Sequence, residues 1–237
     1  MKQSKETTEM GENRTGISLS PQEARKTAEG AQKDATKGSE RQVVEARSRY
    51  VVESQGVGSL PKPAKRGVGK KSAKEGNLRL LLDKLGERAA FERTGVRLYD
   101  AMIGKVEALG EKGGPALADL QQIRSEELEH FHLVAEHVMR LGGDSTAKSP
   151  CADVMGVASR GILQVLSDPR TTTAQCLSAL LTAELTDNAG WELLIGLCDR
   201  LDEKDMGAAF QKALEQEREH LQKVRAWITE DLGRKLS

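Results

Sequence analysis

Glu127-Leu128-Glu129-His130 and Glu217-Arg218-Glu219-His220 are two copies of one pattern, E-x-E-H, set 90 residues apart in a chain of 237. On an α-helix, residues three apart differ by about 60° in direction, so the first Glu and the His of each copy reach from one helix toward one point. Each copy is a two-ligand claw. Around the first claw, Leu117, Leu120, Ile123, Leu128, Phe131, Val134, Val138 and Leu141 recur at helical spacing up to Gly142-Gly143, and Pro115 is expected to open that helix. The second claw lies in a helix expected over 204–232. Leu78, Leu82, Leu85, Ala89, Val96, Tyr99, Met102, Ile103 and Val106 predict a helix over 77–109, closed by Gly110 and Gly113-Gly114, and a further helix is expected over 172–201. Pro115, Pro150 and Pro169 fall between these segments and interrupt none of them. Strands have no room. The connection between the second and third long helices spans roughly 29 residues, and its apolar piece from Val154 to Leu166 is expected to form one short helix. The pattern predicts an all-α four-helix bundle whose long middle crossover lets the second and third helices run parallel.

The other two long helices supply what the claws lack. With Glu92 set over Glu184, the two segments agree at Glu92/Glu184, Thr94/Thr186, Tyr99/Trp191, Asp100/Glu192, Ile103/Ile195 and Gly104/Gly196. The offset is 92 here and 90 at the claws, so a helix hairpin is duplicated with approximate two-fold symmetry. Glu92, Glu127, His130, Glu184, Glu217 and His220 then converge on one interior. Four buried carboxylates would repel one another and resist desolvation, whereas two divalent cations cancel their charge. A donor set rich in oxygen with one imidazole per ion suits iron or manganese better than zinc.

At these residues the chain resembles the ferritin-like di-metal carboxylate proteins, which place one Glu on each of two helices and one E-x-x-H on each of the other two. The resemblance covers about residues 77–237. It implies a ferritin-like bundle holding two iron ions, with manganese the alternative. Similarity to rubrerythrins and bacterioferritins further implies that Glu127 and Glu217 bridge the ions, that Glu92 and Glu184 bind terminally, and that His130 and His220 take one ion each. Tyr99 matches the family aromatic two turns beyond the first Glu and is expected to take part in the chemistry by holding a carboxylate. Asp187, one turn after Glu184, stands where rubrerythrins carry a carboxylate that can swing onto the metal, but it is a methylene shorter. Glu126 and Gln216, just ahead of the claw glutamates, are candidates to orient the opposite imidazoles. His132 points about 200° away from His130 and is expected at the surface, while His137, on the His130 face, reads as a core residue ahead of a relay.

The remaining sequence differs in kind. Residues 1–76 carry 16 Lys and Arg against 10 Asp and Glu and one aromatic, Tyr50, while residues 77–237 carry 20 against 26 and the other six aromatics. So little apolar side chain cannot offset the entropy of ordering, and 1–76 is expected to be a disordered or weakly helical basic tail, with 24–45 the stretch able to form a weak helix. Its basic cluster Lys62, Lys65, Arg66, Lys70, Lys71 and Lys74 reads as a solvated linker ahead of a contact for an acidic partner or nucleic acid. Val57-Gly58-Ser59-Leu60 faintly resembles peptides that load ferritin-like cargo into a protein shell. No run approaches the 18 or so apolar residues of a membrane span, and the charged Met1 to Glu9 segment lacks an export signal's apolar stretch. Cys151, Cys176 and Cys198 are odd in number and form no C-x-x-C, which argues against a disulfide framework or a rubredoxin-type iron centre and fits a reducing cytoplasm.

The resemblance implies an oxidoreductase reacting Fe(II) with dioxygen or peroxide, in oxidative-stress defence or iron handling. Without a rubredoxin module, electrons must come from a separate donor protein or from incoming Fe(II). The sequence stops soon after the expected fourth helix, at Asp231 to Ser237, so the fifth helix of large ferritin cages is not expected, and a homodimer is the candidate assembly. Glu129 and Glu219 stand where several oxygenases of the superfamily carry Arg, which places a di-iron hydroxylase of an organic substrate second. A bundle stapled by metal, with a tail that binds a partner, is third.

Overall fold

The computed structural model describes residues 21–33, 39–54, 72–110 and 114–236. The chain divides into two compact units, Met1–Gly56 and Val57–Ser237. In the first, α1 (Pro21–Lys33) and α2 (Glu40–Glu53) are helical. The Ser39 side chain accepts the Gln42 amide while the Gln42 side chain returns to the Ser39 amide, a reciprocal cap that starts α2. Helix α2 buries nothing, and Val43, Val44, Tyr50, Val51 and Val52 are all exposed. The weak helix expected over 24–45 therefore corresponds to α1 and the first turn and a half of α2, with 34–38 outside the described residues. Residues 62–71 of the basic cluster and the 57–60 peptide also lie outside them.

The second unit contains α3 (Ser72–Leu109), α4 (Leu117–Arg140), α5 (Pro150–Ala158), α6 (Arg160–Ser167), α7 (Thr173–Leu201) and α8 (Lys204–Leu236), with no strand among the described residues. Helix α3 starts five residues earlier than the apolar period predicts. Pro115 does not open α4. Ala116 occupies the cap position, and proline sits just before it in the extended approach. Gly110 and Gly142 adopt φ of +79° and +78°, the left-handed conformation that stops α3 and α4 and that side chains with a Cβ rarely accept.

The crossover makes two helices rather than the single one expected over 154–166. The break falls at Ser159, between Gly156 and Gly161, where ψ opens to −10° and the Ser159 hydroxyl donates to the Met155 carbonyl at 2.8 Å. Ser149 caps α5 ahead of Pro150, and its hydroxyl also donates to the Asp83 carbonyl, near the start of α3. At the other end, Lys105 Nζ, near the close of α3, donates to the carbonyls of Asp168 and Thr171 at 2.7 and 2.9 Å. The crossover thus runs the length of α3, and α7 starts where α4 started, so α4 and α7 run parallel. Helix α3 packs on α4 and α7, and α8 packs on the same two.

Two apolar clusters fill the bundle. One gathers Phe91, Leu98, Met102, Val106, Leu120, Ile123, Leu166, Leu177 and Leu180; the other gathers Leu81, Leu85, Val134, Trp191, Leu194, Met206, Phe210 and Leu214. In α4, α7 and α8 the buried acidic and imidazole residues of the layer lie between the two clusters. In α3 Arg88 lies between Leu85 and Phe91 and Glu92 just beyond, so the polar layer has apolar residues on both sides. Each fully buried Leu or Phe contributes about 1.5–3 kcal/mol, and this sets the stability available to hold buried charge. Cys176 and Cys198 are buried and Cys151 partly so, all three as free thiols. No helix among the described residues is long and apolar enough to cross a membrane.

Candidate metal centre

Helix α3 contributes Glu92, α4 contributes Glu127 and His130, α7 contributes Glu184, and α8 contributes Glu217 and His220. The helical period that makes Leu98, Val134, Leu180 and Phe210 core residues turns these six inward as well, and each is at most 2% exposed. All six come together. Glu127, Glu184, Glu217 and His220 offer one ligand atom each within 4.8 Å of one another, and Glu92, His130 and Glu217 do the same.

Glu217 is the hub. Its Oε1 lies 2.6 Å from His130 Nδ1 and its Oε2 lies 3.2 Å from His220 Nδ1. His130 Nδ1 is also 3.8 Å from Glu92 Oε2, and His220 Nδ1 is 3.6 Å from Glu127 Oε1. The opposite ring nitrogens face away from the four candidate ligand glutamates: His220 Nε2 lies 2.7 Å from Glu126 Oε2, and His130 Nε2 lies 3.0 Å from Gln216 Oε1. Each claw's imidazole is thus held by the residue just ahead of the other claw's glutamate. An oxygen acceptor at Nε2 holds a proton on that side, so the Nδ1 that here faces Glu217 is the nitrogen able to give up its proton and offer a lone pair to a metal ion.

Tyr99 donates its hydroxyl to Glu184 Oε1 from across the bundle. Its repeat equivalent, Trp191, instead sets its ring against His130 and Phe210, with centroids 5.7 and 5.2 Å apart. Gly95, one turn beyond Glu92, leaves the space the Glu127 carboxylate occupies; a Cβ there would overlap it. His132 is exposed, and His137 is buried against Phe210 at 5.1 Å, where burial and Arg140 push its pKa down. The matched acids Asp100 and Glu192 lie at the surface, paired with Arg124 and Arg218 of the neighbouring helices.

Two participants were not both foreseen. Asp187 is buried at 2% and belongs to the acidic cluster with Glu92, Glu127 and Glu217. Arg88, 5% exposed, places Nε 2.7 Å from Glu92 Oε1 and Nη1 3.1 Å from Asp187 Oδ1. The layer therefore holds five buried carboxylates and one buried guanidinium, which leaves four negative charges before the imidazoles are counted. Arg88 had one signal in the sequence, its i,i+4 spacing to Glu92, which on a helix usually marks a surface pair.

The electrostatics follow from this crowding. Burial, reinforced by neighbouring acids, raises Glu92, Glu184 and Asp187 well above the ordinary carboxyl range. Burial also opposes ionisation of Glu217, but hydrogen bonds from His130 and His220 outweigh it and hold that carboxyl at about 2. His220 resists burial in the same way and is raised by Glu126, Glu127 and Glu217. Glu92 Oε2, Glu127 Oε2 and Glu184 Oε2 are sealed from solvent without a hydrogen-bond partner. Unpartnered buried carboxylate oxygens cost several kcal/mol unless something positive meets them. The donor set, four glutamates with two imidazole Nδ1 atoms, fits two divalent ions of the oxygen-preferring kind. An apolar groove of about 420 Å³, walled by Phe91, Leu193, Leu194 and Leu197, reaches Arg88 and so approaches this layer from the surface.

The family model described as ferritin-like domain matches residues 83–232. The chain belongs to the ferritin-like domain family. The match begins within α3 and ends within α8, so it spans all four long helices and the crossover. Comparison with curated proteins and with solved structures finds no match. Family membership and the buried carboxylate and imidazole set together are compatible with a di-iron site and point to metal binding.

Proposed function

We propose that the bundle is a di-iron carboxylate protein that reacts Fe(II) with dioxygen or peroxide, with manganese as the alternative ion. The observation that supports this most is the set of solvent-sealed, unpartnered carboxylate oxygens facing two imidazole Nδ1 atoms, a charge arrangement that a purely structural core gains nothing from. In this reading Glu127 and Glu217 bridge, Glu92 and Glu184 bind terminally, and His130 and His220 take one ion each. Bound iron supplies the electrons that reduce the oxidant. The protein's own part is positional. Tyr99 holds Glu184 by one oxygen, Glu126 and Gln216 fix the imidazole tautomers, and the two apolar clusters keep water from the layer. Electrons come from a separate donor or from further Fe(II).

The test is stopped-flow absorbance of anaerobically Fe(II)-loaded protein mixed separately with dioxygen and peroxide. Wild type is expected to oxidise well ahead of free Fe(II) in the same buffer. His130→Ala is expected to be slower by about tenfold or more, since losing a neutral donor disturbs one ion without altering the charge balance. Oxidation no faster than free Fe(II) would leave a structural site. The groove reaching Arg88 supports a second reading, hydroxylation of an organic substrate, which product analysis with an added reductase distinguishes from the first.

We also propose that the tail, expected over 1–76 and giving up Ser72 to Gly76 to α3, serves a contact rather than the centre. A chain beginning at Ser72, which keeps α3 whole, is expected to retain its helical circular dichroism and its metal content. Loss of either would make the tail part of the fold.

A further inference from the structure

The duplicated hairpin departs from its symmetry at four places that lie together. At the offset of 92, Tyr99 is matched by Trp191, Leu180 by Arg88, Gly95 by Asp187 and Leu98 by Gly190. In one half, the terminal glutamate Glu184 is held by a neutral donor, the Tyr99 hydroxyl. In the other half the indole of Trp191 has no hydrogen-bond partner and does not replace that hydroxyl. Glu92 is met instead by a cation, Arg88 Nε at 2.7 Å. The same guanidinium sits 3.1 Å from Asp187 Oδ1 and donates to the Asp187 carbonyl at 3.1 Å. It stacks 4.6 Å from the Phe91 ring centroid and lies 5.5 Å from that of Trp191. Gly190 is the condition for this placement, because a Cβ at that position would overlap Arg88 Nη1. Two carboxylates, two rings and a bare stretch of helix fix a buried cation at one side of the layer only.

We infer, on the two-ion reading above, that Arg88 is a positioning residue that makes the two ion positions unequal. The position beside His220 fills first, and the position beside His130 fills second and at least tenfold more weakly. Glu184 keeps its full charge for an ion because a hydroxyl withdraws little of it. Glu92 shares its charge with a permanent guanidinium, and an incoming ion must compete for it while approaching a like charge. Asp187 offsets that charge overall, yet its Oδ1 is turned to Arg88 Nη1, so that oxygen neutralises the arginine before it can serve an ion. The pair adds no net charge and changes the balance between the positions.

The experiment is an anaerobic Mn(II) titration of the full chain, followed by calorimetry and by the electron paramagnetic resonance of isolated Mn(II). Wild type is expected to give two steps separated tenfold or more, with an isolated-ion signal that grows to one equivalent and falls as the second ion couples to the first. His220→Ala should remove the tighter step and His130→Ala the weaker. In the double variant Arg88→Gln with Asp187→Asn, which conserves the net charge of the layer, the two constants should converge to within about threefold. Equal constants in wild type, the reverse assignment in the histidine variants, or an unchanged separation in the double variant would overturn the inference while leaving a two-ion centre intact. Should the double variant not fold, the wild-type separation and the histidine variants still decide the order. Failure of wild type to bind any Mn(II) or Fe(II) would instead overturn the two-ion reading, and this inference with it.

Discussion

Replacing Glu217 by alanine is expected to abolish binding of both ions, with affinity falling by more than about 100-fold. The reason is its place in the layer. Among the described residues, Glu217 belongs to each of the three groupings of acids, two of them with an imidazole, that could hold an ion, whereas Glu184 belongs to one of them. It is fully buried, and its two oxygens face His130 and His220 separately. Supporting residues that merely orient a ligand already cost 10–100-fold when removed, so a carboxylate shared by both positions should exceed that range. Glu217→Gln keeps the side-chain volume and removes the charge, so it is expected to lose metal as Glu217→Ala does while keeping the helical circular dichroism. Glu184→Ala should lose one ion and retain the other. Glu219→Ala, exposed and two residues away, should bind two ions as wild type does. Elemental analysis after anaerobic loading and desalting reads all four. Full occupancy in Glu217→Ala would remove that residue from the centre.

The periodicity of apolar residues was enough to read four long helices, their order and the parallel course of α4 and α7, because each helix buries one face and the face repeats every 3.6 residues. It did not place the start of α3 at Ser72, five residues ahead of the expected one, nor the break at Ser159, because Val154 to Leu166 reads as one apolar run. Four of the six acid and imidazole residues were legible because i,i+3 spacing within a helix is a local relation visible along the chain, and Glu92 and Glu184 because the repeat sets one over the other at an offset of 92. Glu126 and Gln216 were legible for the same reason, as neighbours of the claw glutamates. Arg88 was not. Its second partner, Asp187, lies 99 residues away, and the vacancy that admits it is the missing Cβ of Gly190, so neither condition has a local signature. The two-fold repeat contained the information in another form, as the mismatch of Arg88 with Leu180 and of Asp187 with Gly95. Departures from an internal repeat are where two halves of a site stop being equivalent.

From pH 5 to pH 8 the metal-free protein is expected to lose thermal stability, while the metal-loaded protein gains it. Glu92, Glu184 and Asp187 are raised, chiefly by burial and then by neighbouring acids, so the fold favours their protonated forms. In the unfolded chain they release protons near the ordinary carboxyl range, and their contribution is therefore lost as pH climbs from there through the folded values. His130 and His220, raised by their carboxylate neighbours against the effect of burial, contribute fully below about pH 6.5 and lose that contribution as pH rises through their folded values. Glu217 runs the other way. Held at about 2, it contributes above the ordinary carboxyl range and loses that only as pH falls toward 2, outside the window. Within pH 5 to 8 the groups of the layer act in one direction. His137, outside it, runs the other way, since burial lowers its pKa and its penalty is relieved as pH rises toward 6.5, but it is one group against five.

Bound ions reverse the slope, because each requires ionised carboxylates and neutral imidazoles, and affinity rises as those protons leave. At free ion about 100-fold above the dissociation constant, each ion adds about 2.7 kcal/mol. A domain of this size gains about 2–4 °C per kcal/mol, so two ions should raise the midpoint at pH 8 by about 10–20 °C and by much less at pH 5. Thermal circular dichroism at four pH values, with chelator or with Mn(II), measures both slopes. Glu184→Gln removes one titrating acid and one ligand, so it should flatten the metal-free decline and shrink the Mn(II) gain together. A metal-free midpoint that climbs from pH 5 to pH 8, or a midpoint at pH 8 that Mn(II) leaves unmoved, would mean that the acids of this layer meet a different counter-charge.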